Sequence, residues 1–515
     1  MLRSAVYFFL ILFVGCNKDG FSKKNRPLCL NLPQDPSTFD PRKASDFATS
    51  TVTFFLYEGL VRSSPGKIVE PALAESYFIS KDQLTYTFKI RDAVWSNGQP
   101  ITAYDFERSW KESLSPEFPC PNAHLLYPIK NSEKAKKGQC PITEVGIIAK
   151  DSKTLEITLE NPTPYFLELT SFCTFFPYRE DVDKNPIFSG PFAVKHFKPK
   201  DRLEIEKSES YWDKKRVSLS GIRFYLIDDS NTVLEMFGKN EIDLMGSSFT
   251  NLPTDAIAEL KSKYTLRSFD TAGTAFLTFN CQSNLLKNIH MRKALFYTIN
   301  RQDLVENFTF FDEKVANTIV PSMLRRNPSK GFDWSVNHTL ATEHFNKALE
   351  ELQIEKEKVH IRFVISSTGL FPKIAQVIQE QIREGLGIKV SIEQLESKVY
   401  LDRLYKHDFD IGGCLILAQY HDPLAYLDRF KQKTNLRNYP AFEDAEFSSL
   451  IDQSFIVKSE EHRWDLLEQA ETRLKEYYVL LPIYHFKNGF VASEQVQNIQ
   501  AFPQGTLYLD EVEIL

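Results

Sequence analysis

Residues 360–417 constrain the fold more than any other stretch. HIRFVIS (360–366) reads as a strand, and Ile374, Ile378 and Ile382 then recur at four-residue spacing on a helix that ends near Gly385 and Gly387. IKVSIEQ (388–394) alternates as a strand, VYLDRLYKH (399–407) is a short helix, and FDIGGCLIL (409–417) is the next strand. Strand, helix, strand, helix, strand in so short a span predicts an open α/β sheet. A second unit follows Gly221. IRFYLI reads as a strand, Asp229 or Ser230 caps a helix through Met236 and Phe237, and EIDLM is the next strand. This βαβ order predicts parallel pairing of its two strands.

Between these units and the N-terminus the pattern is β-rich. Leu28, Leu30 and Leu32 mark a short strand. A helix is expected from about Ala48 to Leu60, followed by the alternating runs LTYTFKI (84–90) and LEITLE (155–160). Thr102 is placed to cap a helix carrying Asp105, Phe106 and Trp110. A helix at 461–478 and a strand in LPIYHFKNGFVA close the α/β part. The fold class is therefore α/β, two lobes plus a β-rich region. The default ligand site is a cleft between the lobes.

The first sixteen residues, MLRSAVYFFLILFVGC, place Arg3 before an apolar run from Ala5 to Val14. That run is too short to span a bilayer, which needs about 20 residues, and has the layout of an export signal. Cys16 after Val14-Gly15 resembles the lipobox of bacterial lipoproteins, which implies lipidation at Cys16 and a polar tether over 17–26. The body is then expected outside the cytoplasm, in the cell envelope. Export permits disulfides, and Cys120 and Cys140 flank a loop that such a bond would close. The net charge is −6 with 62 basic and 68 acidic side chains. With no block of like charge, the electrostatic footprint of a nucleic-acid binder is missing.

The motifs of nucleophile elbows, phosphate loops, zinc proteases and dinucleotide folds do not occur. No Cys/His cluster has zinc spacing, so no metal or cofactor is expected. His407, His421 and His485 fall near strand ends, where they would have to meet in a cleft to bind a metal or haem.

Several segments resemble the dipeptide/oligopeptide-binding family (family 5) of extracytoplasmic solute-binding proteins, which serve peptide ABC importers. They are NLPQDPSTFDP (31–41), FLYEGLVR (55–62), the block at 71–116 that ends in SNGQPITAYDFERSWKESLSP, and SESYWD (208–213). FNCQSNLLKNIHMRKALFYTINRQDLV (279–305), FDIGGCLILAQYHDPLAYLDRF (409–430) and LPIYHFKNGF (481–490) continue the likeness. The resemblance implies a type II periplasmic-binding-protein fold. Domain I would comprise 27–65, 186–280 and 489–515, domain II 66–185, and domain III 281–488. Two crossings, near 276–282 and 485–491, would form the hinge. It further implies a monomeric, non-catalytic protein that captures oligopeptides for membrane permease subunits; a murein-derived or modified peptide, a nickel chelate, haem or glutathione are the alternative solutes.

The resemblance also marks a changed ligand shell. Gln419, in LAQYHDP, stands where the oligopeptide binders hold the α-ammonium with Asp. Gly413 replaces an Arg, Ile416 and Ser397 replace Trp, Phe371 and Tyr405 replace His, and Phe486 replaces Tyr. Tyr420 and Asp422 complete the expected shell, with Asp422 or Asp410 as a substitute partner for an ammonium. On that reading Gln419→Asp tightens ordinary tripeptides by about 1–2 kcal/mol.

Overall fold

The computed structural model describes residues 26–515 apart from 65–66, 248, 328–330, 332–333, 368, 458 and 503–504. The signal segment, Cys16 and nearly all of the expected tether lie outside the described residues. Arg26, the last tether residue, is bound to the body. Its guanidinium makes a 2.6 Å ion pair with Asp243, whose carboxylate also accepts from the Cys29 N–H.

Strand β1 (Leu28–Leu32) is buried at each of the three leucines that predicted it. Helix α1 (Phe47–Leu56) is capped by Asp46, which accepts from Thr49 N. It stops four residues before the expected Leu60. The Leu56 carbonyl is taken by the N–H groups of Ser189 and Gly190, which close on the helix end from outside. A Cβ on Gly190 would lie 2.6 Å from the Leu56 carbonyl carbon, so glycine is what permits the approach.

Next come β2 (Ala74–Ile79), β3 (Thr85–Ile90), α2 (Ala103–Ser113), β4 (Ile147–Asp151) and β5 (Thr154–Thr158). The four strands make one antiparallel sheet in the order β2-β3-β5-β4. Tyr86, Phe88 and Ile90 are buried on one face of β3, as the alternation predicts. Thr102 and Asp105 form the capping box of α2. Cys120 and Cys140 are free thiols, so the expected bridge is not formed. The loop is held instead by Lys136, whose ammonium donates to the carbonyls of Ser113, Ser115 and Phe118 at 2.6–3.1 Å.

Strands β6 (Phe192–Lys198), β7 (Arg202–Lys207) and β8 (Gly221–Leu226) join β1 in the order β1-β8-β7-β6. Asp229 caps α3 (Ser230–Gly238), which leads to β9 (Leu244–Gly246). The expected parallel pair of β8 and β9 is not made. β8 pairs in parallel with β1, and β9 pairs antiparallel in another sheet. β1 takes the place between them, since Asp243 N, at the entry to β9, donates to Cys29 O. The crossover thus skips one strand, and that strand comes from the N-terminus rather than from the unit itself.

The second large sheet contains β10 (Arg267–Phe279), β11 (His360–Ser366), β12 (Lys389–Leu395), β13 (Ile411–Leu417) and β14 (Leu480–Ala492). With β9 its order is β9-β14-β10-β13-β11-β12. Helix α4 (Phe371–Leu386) buries Ile374, Ile378 and Ile382 and ends on Gly387 in the left-handed conformation. Helix α5 (Ser397–Tyr405) and helix α6 (Glu460–Glu476) complete the layers.

The apolar residues gather into two large cores. One runs from Leu28 to Phe249 and takes in Phe490–Ile514, with the β-rich sheet and the first α/β sheet sharing it. The other runs from Ala272 to Tyr484. Strands β10 and β14 run antiparallel from one core into the other, and their register shifts between Asp270 and Thr274 and between Ala275 and Phe276. Such bulges bend a strand pair locally.

Candidate ligand cleft

Strand β13 is the spine of the site. It pairs with β10 along its whole length, from Ile411 opposite Phe279 to Leu417 opposite Gly273. On its other side it pairs with β11 only at Ile411 and Gly412. From Gly413 to Leu417 no described strand lies along that edge. Leu415 and Leu417 are 51% and 38% exposed there, on a strand whose other residues are buried. An unpaired strand edge with exposed apolar side chains is a template for another extended chain.

The residues singled out from the sequence fall around this edge in separate groups. Gly413 and Phe371 belong together, since a Cβ at 413 would sit 2.5 Å from the Phe371 ring. The two departures are therefore one change, with the ring at the start of α4 filling the space over a bare backbone. Gly413→Ala should cost about 1–3 kcal/mol by overpacking, and Phe371→Ala in the same chain should recover most of it; chemical denaturation of both variants checks the coupling. Ser397 opens α5, with its hydroxyl 3.4 Å from that of Ser366. Tyr405 ends α5, 37% exposed, with its ring 6.1 Å from Tyr439. Phe486 lies on β14, where its carbonyl accepts from Thr271 Oγ1 at 2.7 Å; its Cβ and the Leu417 side chain both border Gly273. Ile416 points the other way, into the second core.

Gln419 and Tyr420 meet partners from the first core. The Tyr420 ring stacks on Tyr165 at 4.1 Å between centroids and 9° between planes. His421 N donates to Glu168 at 2.6 Å. Gln419 Oε1 lies 3.4 Å from His124 Nε2, which is also 3.4 Å from a guanidinium nitrogen of Arg437. Tyr165, Glu168 and His124 thus bridge the first core to the 419–421 turn.

Neither substitute carboxylate is available to an ammonium. Asp422 is buried in a 2.8 Å ion pair with Arg463 and accepts from Leu424 N. Asp410 accepts from Ser283 and from Arg362 N, and lies 3.7 Å from the Arg362 guanidinium. The three histidines do not converge. His485 sits between the hydroxyls of Thr274 and Thr318, His407 bonds the Tyr439 carbonyl, and His421 borders Glu168 through its backbone. Among the described residues no group of three His, Cys, Asp or Glu is placed to hold a metal ion.

Tyr165, His124, Arg429 and Arg437 were not legible beforehand. His124 lies in the loop read as a disulfide loop, Arg429 lies at the end of the 409–430 segment where nothing marked it as a ligand residue, and Arg437 lies in the unpatterned stretch beyond. Burial, then the nearby Arg437, hold the His124 imidazole down at a pKa of about 4. A further cavity of about 670 Å³ lies between Ile257–Lys261 and Gln302–Asn317. It contains none of the residues above.

The model for bacterial extracellular solute-binding proteins, family 5, matches residues 69–438. The chain belongs to this family. The oligopeptide-binding protein OppA of Bacillus subtilis is 33% identical over 96% of this chain and 95% of its own length. The dipeptide-binding protein DppE of the same organism is 31% identical over 96% and 93%. The structure of Listeria monocytogenes OppA bound to peptide superposes with a TM-score of 0.78 at 26% identity, covering 96% of this chain and 99% of that one. The family is one of binding proteins, and the two-core architecture is its type II-like fold. Among the described residues no helix is long and apolar enough to cross a membrane.

Proposed function

We propose that this protein is the substrate-binding component of a peptide ABC importer and holds its ligand as an added strand on β13. The carrying observation is the edge from Gly413 to Leu417 along which no described strand pairs, bounded by Phe371 and by the turn at Gln419, with the Tyr400 hydroxyl on the Gly413 carbonyl at its start. Main-chain hydrogen bonds to such an edge give affinity with little dependence on side chains. The names of the B. subtilis relatives and the peptide in the L. monocytogenes structure support the same ligand class.

The division into domain I (27–65, 186–280, 489–515), domain II (66–185) and domain III (281–488) is part of this reading. The bulged pair β10 and β14 would be the hinge, and the Tyr165–Tyr420 stack would be a latch made on closure. The closed form would be the one presented to the permease, with the protein tethered through a lipid on Cys16.

Calorimetry with tripeptides to pentapeptides of varied side chains tests the reading. Affinities within about tenfold of one another are expected, with a tenfold or greater loss when the central amide nitrogen is methylated. Retention of full affinity after methylation, or no peptide binding at all, would remove the added-strand mechanism.

A further inference from the structure

The end of the β13 edge carries charge of the wrong sign for an ammonium. Two guanidinium groups, Arg437 and Arg429, gather around the neutral imidazole of His124, which meets Gln419. The His124 Nε2 has Gln419 Oε1 and an Arg437 nitrogen each at 3.4 Å and can serve only one of them. As an N–H it donates to Gln419; as a lone pair it accepts from Arg437. Arg429 donates one bond, 2.9 Å to the Ala425 carbonyl, while its Nε is buried with no hydrogen-bond partner. Burial, then the nearby Arg437, lowers the Arg429 pKa from the usual guanidinium value, and Tyr426, Tyr439 and Tyr420 lie close enough to pull it back.

No carboxylate among the described residues makes an ion pair with either guanidinium. The nearby acid is Asp428, which is exposed and makes no ion pair among the described residues, although Lys431 and Arg429 both favour its carboxylate. A guanidinium whose Nε is buried without a partner is costly, because it has given up water without gaining a charge partner, and half-buried Arg437 sets a second unpaired cation beside it. Such an arrangement is satisfied by an anion, and planar guanidinium groups suit a carboxylate best.

We infer that the pocket formed by Arg437, Arg429, His124 and Gln419 receives a carboxylate of the bound peptide, at the Gln419 end of the β13 edge. This rests on the peptide reading above and gives that site a ligand preference. It also reverses the expectation for Gln419→Asp. A new carboxylate at 419 would face Arg437 and His124 and would occupy the pocket itself, so it should exclude the ligand's carboxylate instead of gaining an ammonium.

The test is calorimetric titration of the full chain with peptides paired to differ only in charge. Glu-Ala-Ala against Gln-Ala-Ala asks about a side-chain carboxylate. Ala-Ala-Ala against its C-terminal amide asks about the terminal one. In one of the two pairs the carboxylate form should bind at least tenfold tighter, and the pair that shows it names the source. That ratio should fall to within about twofold in Arg437→Gln and in Gln419→Asp, and Arg437→Lys should keep part of it. Ratios near one in both pairs, with peptides still binding, would overturn the anion pocket and leave the peptide reading standing. A ratio that survives Arg437→Gln and Gln419→Asp unchanged would also overturn it. Failure of every peptide to bind would overturn both.

Discussion

Arg62→Met should destabilise the protein by about 3–5 kcal/mol at neutral pH, the loss expected when one member of a buried ionic cluster is removed. The Arg62 guanidinium reaches Glu58 at 3.1 Å, Glu70 at 2.8 Å and Asp213 at 2.8 Å, and it donates to the Tyr211 hydroxyl at 3.1 Å. Glu58 is buried and takes further bonds from Tyr211 and the Trp212 indole N–H. Burial pushes the Glu58 pKa up, and Arg62 is the largest influence pulling it back. Without Arg62, the Glu58 carboxylate is left enclosed without its cation; Glu70 still keeps Arg216. The double variant Arg62→Met/Glu58→Gln should therefore recover a large part of the loss, by more than additivity allows. Urea denaturation at pH 7.5 of the wild type, both single variants and the double variant measures the coupling. A loss below about 1 kcal/mol for Arg62→Met would mean that the cluster is held open to water.

The cluster also bears on function. It ties the turn after α1 to the 211–216 segment, across the join between the β-rich sheet and the first α/β sheet. Those two sheets share one core, so on the proposed reading they would move together, and the relative motion would be left to β10 and β14, the two strands that cross between the cores.

Periodic signals were legible wherever one face of one element decides burial. Phe88 in β3, Ile374, Ile378 and Ile382 in α4, and the strand-helix alternation through 360–417 behave as their spacing requires. Misreadings arose where a partner distant in sequence intervenes. α1 ends early because Ser189 and Gly190 arrive at its last carbonyl. β8 pairs with β1, nearly two hundred residues away, because the N-terminal strand occupies the slot that the βαβ pattern offers to β9. Cys120 and Cys140 stay reduced in a loop already held by Lys136. The candidate site divides along the same line. The β13 segment was found because it is a strand with a recognisable turn after it. The pairing of Gly413 with Phe371 and the meeting of His124 with Arg437 depend on three-dimensional proximity that no local pattern encodes.

Acid should both weaken the fold and open the cleft, through two histidines kept neutral by burial. His485 is held at about 4 by burial between Thr274 and Thr318, with Arg325 adding to the shift, and His124 is held at about 4 by burial, with Arg437 adding to the shift. An unfolded imidazole titrates near 6.5, so between about pH 6.5 and 4 the unfolded chain binds protons that the folded chain refuses. Stability from these groups is complete above pH 6.5 and is lost as the pH falls toward 4. At pH 5 the loss reaches at most about 2 kcal/mol for each histidine, from 1.36 kcal/mol per pH unit. His124 carries the functional part. It meets Gln419 and Arg437 from the other side of the proposed cleft, with Arg429 the further charge acting on it, so part of its burial would be made on closure. Opening would return it to water and to an ordinary pKa, so protons would favour the open form by the same amount. Binding of a peptide with neutral side chains and an amidated C-terminus should therefore weaken by up to about thirtyfold from pH 7 to pH 5. His124→Gln should flatten that slope, while His485→Gln should reduce only the loss of stability. A carboxylate held beside His124 would favour its proton and offset part of the effect, so the matched carboxylate peptide should lose less affinity over the same range. Equal pH slopes for wild type and His124→Gln would mean that the imidazole is already solvated when the cleft is closed.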